Sequence, residues 1–145
     1  MVTIRQLLES KGRQVWSVNR ETTVYDSLRL MAEKGIGALV VMDQGTIVGV
    51  ISERDYARKV ILEGRSSRDT PVSAIMSTSV LHAVPEQSIA DGMALMTEKR
   101  IRHLPVMEDN QIIGIVSIGD LVKSHIVEQE YVISQLEHYI SGEMA

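Results

Sequence analysis

The feature that most limits what this chain can fold into is that it contains itself twice. Displaced by 65 positions, residues 21–58 lie over residues 86–123 without a gap, and 14 of the 38 aligned pairs are identical. The identities include Asp26 with Asp91, Leu39 with Leu104, Gly49 with Gly114, Ser52 with Ser117 and Asp55 with Asp120. Several other pairs are like for like, such as Val24 with Ile89. The chain is therefore a duplication of a small unit, too short to bury much on its own, and two such units gain most by sharing a core.

Each copy carries the same local grammar. Thr23 and Ser88 stand three residues before Asp26 and Asp91, an N-cap hydroxyl with a carboxylate near the free first-turn amides. The helical spacing of Val24, Leu28 and Met31, and of Ile89, Met93 and Met96, predicts a helix in each copy, with Gly35 ending the first. The period then changes. Gly37-Ala38-Leu39-Val40-Val41-Met42 reads as a short strand, Asp43-Gln44-Gly45 as a turn and residues 46–51 as a second strand. Copy two repeats this with Arg102-His103-Leu104-Pro105-Val106-Met107, the turn Glu108-Asp109-Asn110 and residues 111–116. Pro105 has no N–H to give a ladder, so its stretch is expected at an edge or turned from its neighbour. Ser52 and Ser117, three residues before Asp55 and Asp120, open another helix in each copy.

With first strands at residues 15–18 and 80–84, the unit is β-α-β-β-α. The expected fold class is α+β, or α/β under some schemes: two repeats packed with pseudo-two-fold symmetry through their small sheets, plus an extended C-terminal helix. The expected boundaries are an N-terminal helix at 1–12 capped by Thr3, a first repeat at 13–63, a polar linker at 64–73, a second repeat at 74–124 and a helical extension at 125–141. Leu121, His125 or Ile126, Glu128 or Gln129, Val132 or Ile133, Leu136 and Tyr139 or Ile140 give an apolar stripe on that last helix, before Ser141-Gly142 stops it. It either packs on another subunit, the preferred reading, or folds back over its own chain.

Composition narrows the function. The chain has no cysteine, which excludes disulfides, thiolate catalysis and thiolate metal sites. No nucleophile elbow, zinc-protease helix or phosphate-binding Gly-Lys-Ser/Thr loop occurs, and the four histidines lack metal-site spacing, so neither an enzyme nor a metal site is expected. Residues 1–70 hold 11 basic and 9 acidic groups and residues 71–145 hold 4 and 10, so the net charge of -4 is concentrated in the second half and disfavours nucleic acid. The longest apolar run, residues 38–42, is too short for a membrane span, and no leader pattern opens the chain; a cytoplasmic location is expected.

The chemistry-bearing pattern is Gly-apolar-apolar-Ser-x-x-Asp, at Gly49-Val50-Ile51-Ser52-Glu53-Arg54-Asp55 and Gly114-Ile115-Val116-Ser117-Ile118-Gly119-Asp120. Its plain reading is a strand entering a capped helix. Its functional reading is a glycine that admits close backbone approach beside a helix N-terminus, with an aspartate able to accept from both hydroxyls of a ribose.

These residues resemble the tandem cystathionine beta-synthase (CBS) domain pair, or Bateman module, over roughly residues 13–123. The resemblance rests on the constant offset, on Ile36-Gly37-Ala38-Leu39-Val40-Val41 and Ile101-Arg102-His103-Leu104-Pro105-Val106, on both Ser-x-x-Asp junctions and on Ala74-Ile75-Met76-Ser77 before the second repeat. It implies two clefts between paired sheets that hold adenosyl ligands. One would use Ser52 and Asp55 for ribose, Met76, Leu81 and Ile101 around adenine, and Arg54, Arg102 and His103 for phosphates. The other would use Ser117 and Asp120 with Val15, Trp16, Ile36, Gly37 and Ala38. Gly119, Gly37 and Ala38 carry no charge, so a nucleotide with phosphates is expected at Asp55. Trp16 would stack on the ligand or fill the cleft. The plainer readings are a solvated Arg54 and an edge strand guarded by Arg102 and His103.

The resemblance thus implies a non-catalytic regulatory module that senses AMP, ADP or ATP, with S-adenosylmethionine as second choice. It also implies a homodimer and a regulated protein partner whose identity stays open. The alternative is a CBS-fold scaffold or protein-interaction module that binds no nucleotide.

Overall fold

The computed structural model describes residues 1–142. In chain order its elements are α1 (Ile4–Lys11), β1 (Ser17–Val18), α2 (Val24–Lys34), β2 (Ala38–Asp43), β3 (Thr46–Ser52), α3 (Glu53–Tyr56), α4 (Ile89–Lys99), β4 (His103–Glu108), β5 (Gln111–Ser117) and α5 (Ile118–Ser141). A π-helical turn at Ala57–Ile61 and a 3₁₀ turn at Val72–Ala74 complete them. The chain forms two compact units: Gln14–Leu81, and Met1–Arg13 joined to the chain from His82 onward.

The two units are built by the same local rules. Thr23 Oγ1 accepts from Asp26 N at 3.1 Å and Ser88 Oγ from Asp91 N at 3.0 Å, capping α2 and α4 where the sequence places those caps. Gly35 ends α2 in the left-handed region at φ 66°. Arg100 ends α4 in the same region at φ 55°, without glycine's freedom there. The hairpins β2–β3 and β4–β5 match in register, from Ala38↔Ser52 and His103↔Ser117 to Val41↔Gly49 and Val106↔Gly114, and each then slips at a bulge.

One predicted strand is reduced to a point, and the duplication shows why. In the first unit β1 pairs parallel with β2 through Ser17↔Val40 and Val18↔Val41. The matching pairs in the second unit are His82 with Pro105 and Ala83 with Val106, and only the second forms, as an isolated bridge. Ala83 N donates to Pro105 O at 2.9 Å and Met107 N donates to Ala83 O at 2.9 Å. Extending the ladder one residue back needs an N–H from position 105, which proline lacks. The predicted strand at residues 80–84 therefore shrinks to Ala83. The helix expected after β3 also changes form: α3 covers only four residues before the π-helical turn.

The largest departure from the sequence boundaries is in what each unit recruits. Ile4 N donates to Gln87 O at 2.8 Å and Ile89 N to Val2 O at 3.1 Å. In the first unit Val72 N donates to Thr22 O and Val24 N to Thr70 O, both at 2.8 Å. Residues 2–8 and 70–76 are thus equivalent segments, each docked beside the start of a capped helix. Val72, Ile75 and Met76 enter the core with Val24, Met31, Leu39, Val41, Ile51 and Val60. Ile4, Leu7 and Leu8 enter the other core with Ile89, Met96, Leu104, Val106, Val116 and Leu121. The stretch read as the end of a linker and the opening of repeat two completes the first unit, and the N-terminal helix completes the second.

The duplicated glycines make that docking possible. A Cβ at Gly49 would lie 2.6 Å from Met76 Sδ and 3.0 Å from Ser77 O; one at Gly114 would lie 2.6 Å from Leu8 Cδ2. Only a residue without a side chain lets the recruited segment lie against the strand. Arg5 fastens α1 further by pairing with Glu86 at 3.1 Å and with Glu108. That hydrogen bond holds the Glu108 carboxyl below its ordinary range.

Candidate functional site

Both Ser-x-x-Asp junctions form reciprocal capping boxes. In the first unit Ser52 Oγ accepts from Asp55 N at 3.2 Å, while Asp55 Oδ2 accepts from Ser52 N at 2.9 Å and from Ser52 Oγ at 3.1 Å. In the second, Ser117 Oγ accepts from Asp120 N at 3.1 Å and Asp120 Oδ2 accepts from Ser117 N at 2.8 Å. The plain reading of the motif is therefore present in both copies. It does not exhaust the carboxylates, because a carboxylate offers about four acceptor sites and each cap draws on one oxygen.

Each aspartate also has a lysine, and the two lysines come from unrelated places. Lys59 Nζ lies 3.3 Å from Asp55 Oδ1, one helical turn along, and donates to Ile75 O at 2.9 Å. Lys11 Nζ, at the end of α1, lies 2.6 Å from Asp120 Oδ2 and donates to Ile115 O at 2.6 Å. Neither lysine is among the residues singled out in the sequence, although Lys59 could have been found as an i,i+4 partner of Asp55. Lys11 carries no local signal, since it reaches Asp120 only through the docking of α1. That contact brings a cation to Asp120 from outside the duplicated positions, where Gly119, Gly37 and Ala38 carry no charge.

Burial alone would raise the Asp120 pKa, but the hydrogen bond from Lys11, that from the Ser117 backbone N–H and the Lys11 charge outweigh it and hold the carboxyl below its ordinary range. A carboxylate depressed on folding stabilises the native state above its unfolded pKa, about 3.9, and that contribution fades as pH falls through the lower folded value. Lys11→Met is expected to cost of order 1 kcal/mol at neutral pH, after allowance for solvent screening, and progressively less as pH falls through the acid range in which Asp120 takes up its proton. Thermal melts of both proteins across that range check this; an equal loss at both ends would refute it.

In the first unit Glu53 N donates to Gly37 O at 3.1 Å and Ala38 pairs with Ser52, so Gly37, Ala38, Ser52 and Asp55 form one junction. Arg54 is half-buried beside them. Met76 is buried against Gly49, whereas Leu81 is exposed. Trp16 and Ile36 pack against the core, Lys34 Nζ stands 4.3 Å from the Trp16 ring centroid, and Val15 is half-buried. In the second unit Ile118 N donates to Arg102 O at 2.8 Å and His103 pairs with Ser117, so Arg102, His103, Ser117 and Asp120 form the equivalent junction. Ile101 packs against that unit's core. Where copy one presents Gly37 and Ala38, copy two presents Arg102 and His103. Among the described residues no cluster of His, Asp and Glu suits a metal ion.

The CBS domain family matches residues 1–62 and 72–126. The mitochondrial CBS domain-containing protein CBSX3 of Arabidopsis thaliana is 40% identical over 97% of this chain and 72% of its own length. A CBS-domain protein of known structure from Burkholderia ambifaria is 51% identical, with a TM-score of 0.85 over 88% of this chain and 96% of that one. A CBS domain pair solved in complex with 5′-methylthioadenosine and S-adenosyl-L-methionine shares the fold, with a TM-score of 0.76 over 88% of this chain and 98% of that one, at 18% identity. No helix among the described residues is long and apolar enough to cross a membrane.

Proposed function

The chain belongs to the CBS-domain family, and on that premise we propose that it is a non-catalytic regulatory module that senses an adenosine-containing ligand. CBS pairs are regulatory modules and can bind adenosine ligands. AMP, ADP or ATP is the first choice here, and S-adenosylmethionine the second.

The observation that carries the reading is the duplicated junction in which a capping aspartate keeps acceptor capacity beside a helix N-terminus. Ser52 and Asp55 would take the ribose, with the adjacent Arg54 facing phosphate. Ser117 and Asp120 are the weaker candidates for a nucleotide with phosphates, because the counterpart of Arg54 in the second copy is the uncharged Gly119. Ligand that binds only the folded chain stabilises it by mass action, and a change in shape or assembly follows to the extent that two arrangements differ in affinity. The signal would leave through a homodimer or a regulated protein partner.

Thermal shift with AMP, ATP and S-adenosylmethionine, each at about a hundred times its Kd, tests this. A stabilisation of about 2.7 kcal/mol is expected for the cognate ligand. No shift with any of the three, together with no nucleotide carried through purification in native mass spectrometry, would leave the scaffold reading in its place.

A further inference from the structure

We propose that the exposed part of α5 pairs antiparallel with the same helix of a second copy, about a two-fold axis at the level of Tyr131. The inference rests on the homodimer reading above and assigns its surface.

The start of α5 is committed to its own unit. Leu121 is fully buried, and Glu128 Oε2 accepts from Val2 N at 2.5 Å. On another side of the helix the apolar residues stand open, Ile126 at 51%, Ile133 at 53%, Leu136 at 56% and Ile140 at 82% of full exposure. With Gln129 they recur at alternating steps of three and four, the seam along which two helices interlock. An apolar stripe of this kind, interrupted at Gln129, marks a contact surface.

The flanking residues identify the occupant and its direction. Turned antiparallel about Tyr131, the helix sets Ile126 opposite the second copy's Leu136, Ile133 opposite its Gln129 and Ile140 opposite its Val122. On one flank Lys123 meets the second copy's Glu137, and symmetry supplies that pair twice. On the other flank Val132 meets its own counterpart and His125 meets Tyr139. Glu130 faces Glu130 across the axis, a repulsion at the wet rim. A parallel pair would instead put Lys123 beside Ile118 and Glu137 beside Val132. Among the described residues Lys123 and Glu137 form no ion pair within their own chain, and both are exposed. The antiparallel order gives both charges a partner and gives Val132 an apolar one.

The chain has no cysteine, so single cysteines report the geometry cleanly. Wild type is expected to sediment as a dimer, and Leu136→Glu to weaken dimerisation roughly a hundredfold while the far-ultraviolet circular dichroism stays unchanged. Lys123→Glu should weaken it and the added Glu137→Lys should restore it. A short bis-maleimide should join Val132→Cys chains but not Ile140→Cys chains, whose positions would lie about 27 Å apart. Joining at Ile140→Cys but not at Val132→Cys overturns the proposal in favour of a parallel pair. A dimer indifferent to Leu136→Glu places the interface elsewhere and leaves the homodimer standing. A monomeric wild type removes both.

Discussion

Leu8→Ala is expected to destabilise the fold by about 2–5 kcal/mol, the range for emptying a well-packed core position. Leu8 is fully buried, and its methyl groups occupy the space that a side chain at Gly114 would need. With Ile4 and Leu7 it belongs to the same core as Leu104, Val116 and Leu121. Urea unfolding of Leu8→Ala beside Glu9→Ala, which removes an exposed side chain one residue on, separates the two roles of α1. If the helix is a core element, only Leu8→Ala loses stability, and the control stays within about 0.5 kcal/mol of wild type. Similar small effects at both positions would show that α1 is an appendage.

Asp55→Ala is expected to weaken adenosyl-ligand binding roughly ten- to a hundredfold, the worth of one charge-assisted contact, with Asp120→Ala costing less. Both substitutions break a capping box, and Asp120→Ala also loses the closer lysine pair, so a general loss of stability would be at least as large at Asp120. A difference in affinity between them therefore reports contact with ligand rather than a weakened cap. Calorimetry with AMP and with free adenine sharpens the point, because adenine has no ribose and its affinity should not respond to Asp55. Equal losses for AMP in the two variants, or an equal loss for adenine, would defeat the assignment.

The legible parts of this molecule are those governed by neighbours in sequence. Thr3, Thr23, Ser52, Ser88 and Ser117 all cap helices where hydroxyl and carboxylate or amide spacing places them. The hairpins and their shared register follow from branched runs around short turns, where Gln44, Gly45, Asp109 and Asn110 all take positive φ. Pro105 was legible as a defect in a ladder, though its effect, the loss of a strand down to Ala83, required knowing which strand it faced. The site divides in the same way. The two Ser-x-x-Asp junctions were read from the chain; Lys59 was missed although its i,i+4 spacing marks it, and Lys11 left no local signal at all.

The sequence by itself determined the duplication, the elements of each copy and the family that those elements identify, because caps, periodicity and turn residues act over a few positions and leave their mark in spacing. Only the tertiary structure decided that Val72, Ile75 and Met76 complete the first unit while Ile4, Leu7 and Leu8 complete the second. It also decided that Lys11 reaches an aspartate 109 positions away. Those choices depend on which apolar face is left uncovered once the hairpins have formed, and on Gly49 and Gly114, whose close approach, legible in the sequence, is taken up by Met76 and Leu8 of the chain itself.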